Sequence, residues 1–240
     1  MLTRILAAIL FVSVTCLPAA AEVVRIQVTS RADVADGNSF GATGPYEKLA
    51  GRIYFEVDPA LAPNKIITDI DKAPRNARGR VEFSSDFFLI KPKQIERGNG
   101  TVLYEVSNRG GKGMLAFYNR ATGSLDPTTE AQMGDGFLMA QGFTLLWVGW
   151  QFDPPHREGL VRVYAPIATD NGKPITGIVR SEVIVSKVAF DASLADRDHI
   201  AYAVATRTIL RIRSRCATRS KGRAGSSRRA NGNWMADACI

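Results

Sequence analysis

Between Thr101 and Trp150 the chain holds two short apolar runs, TVLYEVS and FTLLWVGW, separated by a glycine-rich corner and a helix-like stretch. Thr101 to Ser107 is rich in β-formers and ends in Asn108-Arg109-Gly110-Gly111-Lys112-Gly113, which reads as a buried strand running into a tight turn. Phe137-Leu138-Met139-Ala140 then leads to Gly142, a residue type suited to the left-handed position after a helix, before the second run begins. Strand, glycine corner, helix and strand in this order predict a parallel βαβ unit and an α/β chain. The corner has two readings. It can be a plain tight turn, or it can aim backbone N–H groups at an anion, because without Cβ atoms the amides approach closely. It is not a phosphate-binding loop of the Walker type, since the glycine spacing and the Lys-Ser/Thr pair are missing.

With 240 residues, 45% of them hydrophobic, the chain is able to bury a core as one large or two small domains. Residues 1–21, MLTRILAAILFVSVTCLPAAA, have a basic start at Arg4, an apolar run from Ile5 to Leu17 and small residues before Glu22, the pattern of a secretory signal peptide. Export to the periplasm or the medium is expected, with no membrane association after signal removal. The net charge of +8 resides in residues 205–240, where eight Arg and one Lys face one Asp. Nucleic-acid binding would therefore rest on that tail. The tail carries no interleaved aromatic residues apart from Trp234 and no reading helix, so no specific nucleic-acid partner is expected. Cys16 lies in the signal segment, and Cys216 and Cys239 lie in the tail. Residues 22–204 must hold together through their core, and the cysteine spacing excludes zinc-finger and redox motifs.

Glu22 to Ser30 alternates Val24, Ile26 and Val28 with polar partners, a half-buried strand. Tyr46 to Val57 and Gly79 to Pro92 read as further strands, with the charged link Asn64 to Ala77 before the second. Two strands, Leu160 to Ile167 and Gly177 to Phe190, are predicted around the Asp170-Asn171-Gly172 turn. Several chemical candidates fail on context. Gly37-Asn38-Ser39-Phe40-Gly41 matches G-x-S-x-G, but a loop follows where a nucleophile elbow needs a helix. Asp33 and Asp36 read as turn-capping residues, and Asp69 with Asp71 as a solvated turn without a His or Glu at ligand spacing. His156 and His199 are the two histidines, and each reads as an ordinary hydrogen-bonding residue. No catalytic residue, metal ligand or cofactor is assigned.

From Glu22 to about Tyr202 the chain resembles the N-terminal part of exported bacterial α/β-hydrolase-domain proteins. The resemblance rests on VTSRADVADGNSFGATGPYEKLAGRIYFEVDP, NKIITDIDKAPRNARGRVEFSSDFFLIKP, TVLYEVSNRGGKG and GDGFLMAQGFTLLWVGWQFD. It implies an incomplete α/β-hydrolase-like fold over residues 22–204, with a β-rich N-terminal half. It also implies that the nucleophilic serine and triad histidine lie beyond this chain, and that Asn108, Arg109, Gly110 and Gly111 form the oxyanion-side loop. The implied substrate of the intact family member is a small ester-like molecule. The resemblance stops short of residues 205–240, which read as an out-of-frame, disordered basic tail: back-translated with GC-rich codons and shifted by two bases, they yield a hydrolase-like continuation. By this reading the chain alone is inactive. The alternative is a non-catalytic secreted β-rich binding module, for which Phe40, Tyr46, Tyr54, Phe83, Phe87 and Phe88 supply either a ligand platform or core packing.

Overall fold

The computed structural model describes residues 21–177 together with Ala195, residues 199–201 and Ala203. Residues 1–20 of the expected signal peptide, most of the predicted strand from Gly177 to Phe190 and the basic tail with Cys216 and Cys239 lie outside the described residues.

Among the described residues, nine strands and three short α-helices follow in order, with single 3-10 turns between some of them: β1 (Ala21–Asp33), β2 (Ser39–Phe40), β3 (Gly44–Val57), β4 (Val81–Pro92), β5 (Val102–Glu105), α1 (Met114–Asn119), α2 (Glu130–Met133), α3 (Phe137–Ala140), β6 (Thr144–Val148), β7 (Val163–Tyr164), β8 (Thr169–Asp170) and β9 (Lys173–Pro174). Seven strands make one mixed sheet with the main order β1-β3-β4-β6-β5, in which β2 adds to β3 and β7 adds to β4. The predicted unit is present, because β5 and β6 pair in parallel with Val102 opposite Thr144 and Glu105 opposite Trp147. Every other pairing in the sheet is antiparallel.

The expected α/β-hydrolase-like fold is therefore corrected. One parallel pair sits at the end of a largely antiparallel sheet, and the helices span six, four and four residues. The local cause is visible between β5 and β6, where Gly123, Pro127, Gly134, Gly136 and Gly142 interrupt any longer helical run. Each helix is thus too short to be stable by itself and is held by packing. The Asp170-Asn171-Gly172 turn is also present, but it closes the small β8–β9 hairpin, and Val163–Tyr164 pairs instead with Ser84–Ser85 of β4.

Strand alternation divides β3 and β4 into two faces. One face carries Tyr46, Ala50, Phe88 and Ile90, extended across β6 by Leu145 and Trp147. Met114, Leu115, Met133, Leu138 and Met139 from the helical segment pack on it, together with Val34 and Ala35. Fully burying each such side chain contributes about 1.5–3 kcal/mol. Tyr46 is fully buried, and its hydroxyl donates to the carbonyls of Met139 and Phe143, both at 3.0 Å, tying β3 to the end of α3. The buried Asn119 does the same for the helices: its amide donates to the Met133 carbonyl, and its oxygen accepts from the Leu138 N–H. A smaller cluster on the opposite face, Val57, Ile70 and Val81, closes the far end of β3 and β4.

Candidate functional site

The helical layer ends at the row formed by Ala50, Phe88 and Trp147. One step further along the same face, the cross-strand pair is Arg52 opposite Asp86. Here the helical cover stops and the charged pair stands on the sheet itself, whereas Lys48, further back on the same face, is capped by Asp126 and Thr128. Arg52 donates from Nε (3.2 Å) and Nη2 (3.0 Å) to Oδ1 of Asp86. The other carboxylate oxygen accepts from the Tyr164 hydroxyl of β7 at 2.9 Å and from the Arg162 backbone N–H at 3.3 Å. The Arg52 guanidinium lies 3.9 Å from the Tyr164 ring centre, with that of Arg162 5.3 Å from the same ring. Burial works against the Arg52 charge, but the hydrogen bond and charge of Asp86 more than restore it, so its pKa is raised. The Tyr164 phenol is also pushed up, first by burial and then by Asp86.

β1 completes the site. The backbone carbonyl of Gln27 comes so close to β3 that a Cβ at Gly51 would lie 2.0 Å from it, so only glycine admits this approach. The approach sets Gln27 opposite Arg52 and Arg25 opposite Tyr54. Gln27 Oε1 accepts from Arg25 and from the Tyr54 hydroxyl, both at 3.0 Å, and the Arg25 guanidinium stacks 3.5 Å from the Tyr54 ring centre. Between these groups lies a cleft of about 250 Å³, lined by Gln27, Thr29, Gly51, Arg52, Tyr54 and Asp86.

The predicted oxyanion-side loop follows β5 at the same end of the strands, with Gly110 beside Val161, and several of its backbone groups are engaged. The Arg109 N–H donates to the Gln151 side chain at 2.7 Å, and the Arg109 guanidinium pairs with Asp153. The Gly111 N–H donates to the Asn108 carbonyl at 3.3 Å. Gly110, at φ +77°, faces the Val161 backbone, where a Cβ would lie 2.5 Å from the carbonyl oxygen. The missing side chain at Gly110 thus makes room for the chain's own segment. The next amides, Gly113 (3.0 Å) and Met114 (2.8 Å), donate to the Glu105 carboxylate, which also accepts from the Trp147 indole. The amides that close on an anion here are those of Gly113 and Met114, outside the four residues named for the oxyanion-side loop, and that anion is Glu105.

Lys112 in the same loop is buried. Its ammonium donates to the carbonyls of Leu125 (2.6 Å) and Gly159 and sits 4.4 Å from the Phe88 ring centre. Burial lowers its pKa to about 8.

The remaining candidates are dispersed. Ser39 is exposed on β2, opposite Pro45. The His156 ring lies against Arg162, 2.6 Å from Nδ1 to Nη1. Asp33 pairs with Lys93 (2.8 Å) and Asp69 with Lys72 (3.4 Å). Among the described residues, no group of three or more His, Cys, Asp or Glu is placed to hold a metal ion, and no helix is long and apolar enough to cross a membrane. Of the six aromatics weighed as a platform, Tyr46, Phe87 and Phe88 are buried, Phe83 stacks on Phe55, Phe40 packs edge-on against Tyr46, and Tyr54 alone lines the cleft. Arg52, Asp86 and Tyr164 were legible only as strand residues, although a charged Asp86 in the centre of an apolar strand was a signal. No family model, curated protein or solved structure matches the chain.

Proposed function

We propose that the chain is a non-catalytic binding module, acting outside the cytoplasm, that holds a small polar ligand on its sheet in the cleft between β1 and β4. The observation that carries this reading is the row of Gln27, Arg52, Tyr54 and Asp86, held by mutual hydrogen bonds around a recess where the helical layer stops. Its volume of about 250 Å³ is below the roughly 300 Å³ at which pockets for drug-sized molecules begin, which suits a ligand of monosaccharide size or smaller. The side chains hold one another in place, so little ordering entropy remains to be lost on binding. A protein-observed NMR screen of small polar solutes against the 240-residue chain tests the reading. Binders that compete with one another and shift the Tyr54 ring signals are expected, and a panel without such binders would sink it.

A second reading keeps the chain as the N-terminal portion of an exported serine hydrolase. The parallel β5–β6 pair around the glycine corner favours it. On this reading the ester-like substrate and the serine and histidine belong to a longer protein, and the chain alone shows no turnover of a short nitrophenyl ester. Turnover abolished by Ser39→Ala would overturn both readings.

A further inference from the structure

The hydrogen-bonding balance of the cleft identifies what it would hold. Asp86, the acidic group on its wall, is fully engaged: Arg52 donates twice to one oxygen, and Tyr164 and the Arg162 N–H donate to the other. The Gln27 side-chain oxygen is likewise taken by Arg25 and Tyr54. Unused donors remain: Nη1 of Arg52 and the Gln27 amide nitrogen have no partner among the described residues, and Arg25 engages one terminal nitrogen. Glu56, further along the same face, is bound by Arg78 and Asn76. Arg52 thus neutralises the one carboxylate of the wall, and Arg25 stands beside it over the Tyr54 ring, while the Arg162 guanidinium is committed to the Phe152 carbonyl and the His156 ring. A wall with spare, positively charged donors takes an acceptor-rich anion, and a planar guanidinium matches a carboxylate.

Two acceptors also face the recess. Thr29 and Tyr54 each spend their hydroxyl proton elsewhere, on the Ala50 carbonyl at 3.2 Å and on Gln27, which leaves their oxygen lone pairs free for a ligand hydroxyl. The exposed ring faces do not serve as a sugar-stacking platform, because guanidinium groups already lie over Tyr54 and Tyr164. Recognition then comes from hydrogen bonds and charge at the rim.

We propose that the cleft between β1 and β4 binds a hydroxylated carboxylate of monosaccharide size, a uronic acid, with Arg52 and Arg25 on the carboxylate and Tyr54 and Thr29 on the hydroxyls. This rests on the binding-module reading and names its ligand class.

The test titrates the full chain with D-glucuronate, D-glucose and acetate while following the Arg52 side-chain N–H and Tyr54 ring signals by NMR. Saturable glucuronate binding, at least tenfold tighter than either comparison solute and weakened several-fold in 0.5 M salt, is expected. Arg25→Ala changes an exposed side chain, so folding is retained and affinity is expected to fall about fivefold, with Arg52→Gln falling further. Glucose matching glucuronate would overturn the anionic assignment and leave the cleft as a binding site. Acetate matching glucuronate would overturn the role of Tyr54 and Thr29. Failure of all three solutes to move the cleft signals would overturn the uronate assignment, and with an empty wider screen the binding reading as well.

Discussion

Two halves of one sheet face differ in what covers them. From Tyr46 to Ala50 on β3 and from Phe88 to Ile90 on β4, the face lies under the helical segment and is apolar apart from Lys48, whose ammonium is tied to Asp126 and Thr128. From Arg52 to Tyr54 and at Asp86, the same strands in the same register lie open and are charged or phenolic. β1 adds a further contrast, since Val23, Ile26 and Val28 are exposed although they belong to a thirteen-residue strand that pairs along β3, with register shifts between Val23 and Arg25 and between Val28 and Ser30. Hydrogen-bonded pairing therefore extends well past the core. What distinguishes the halves is the second layer, and each perturbation below should cost in proportion to it.

The largest effect is expected in the covered half. Trp147 is fully buried, packs edge-on against Phe88 at 5.8 Å between ring centres and donates to Glu105. Trp147→Ala should lower stability by about 3–5 kcal/mol in urea titrations. A loss below about 1 kcal/mol would mean that the helical layer does not support the sheet.

Lys112 gives the next effect and carries a sign. Burial holds its pKa near 8 in the folded chain against 10.5 for an exposed lysine, so the unfolded chain binds more protons between these values. Stability should rise as pH increases from 8 to 10, by about 2 kcal/mol, and the rise should vanish in Lys112→Met. Above pH 10 the gain is opposed. The Tyr46 and Tyr164 phenols have raised pKa values, first through burial, so the unfolded chain loses those protons earlier and stability falls. Unfolding midpoints across pH 7–11 read both limbs.

Tyr46→Phe removes one hydroxyl shared between the Met139 and Phe143 carbonyls and should cost about 1 kcal/mol. At the open end, Ile26→Ala should change stability by less than about 0.5 kcal/mol, since 61% of Ile26 is exposed. A cost of 2 kcal/mol there would show that β1 is covered in solution, and the contrast between the halves would fail.

Much of the strand content was legible from side-chain alternation. Glu22 to Ser30, Tyr46 to Val57 and Gly79 to Pro92 match β1, β3 and β4, and the two apolar runs flanking the glycine corner match β5 and β6. The fold class was not. One parallel pair looked like the start of a parallel sheet, whereas β4 enters beside β6 in antiparallel orientation, a choice made by contacts between Phe88 and Trp147 and between Ile90 and Leu145, 55 or more residues apart. The candidate site was legible in part. Asp86 was noticeable as a charge in an apolar strand, but its partners Arg52, Arg162 and Tyr164 come from two other strands and the segment between them, and no local pattern links them.

The amino-acid order by itself determined which segments extend and where they turn, because alternation and glycine punctuation act over a few neighbouring residues. Only the tertiary structure decided that the amides of Gly113 and Met114 close on Glu105 and that Arg52 meets Asp86 beyond the helical layer. Both depend on strand register and layer length, which are set by burial between residues far apart in the chain.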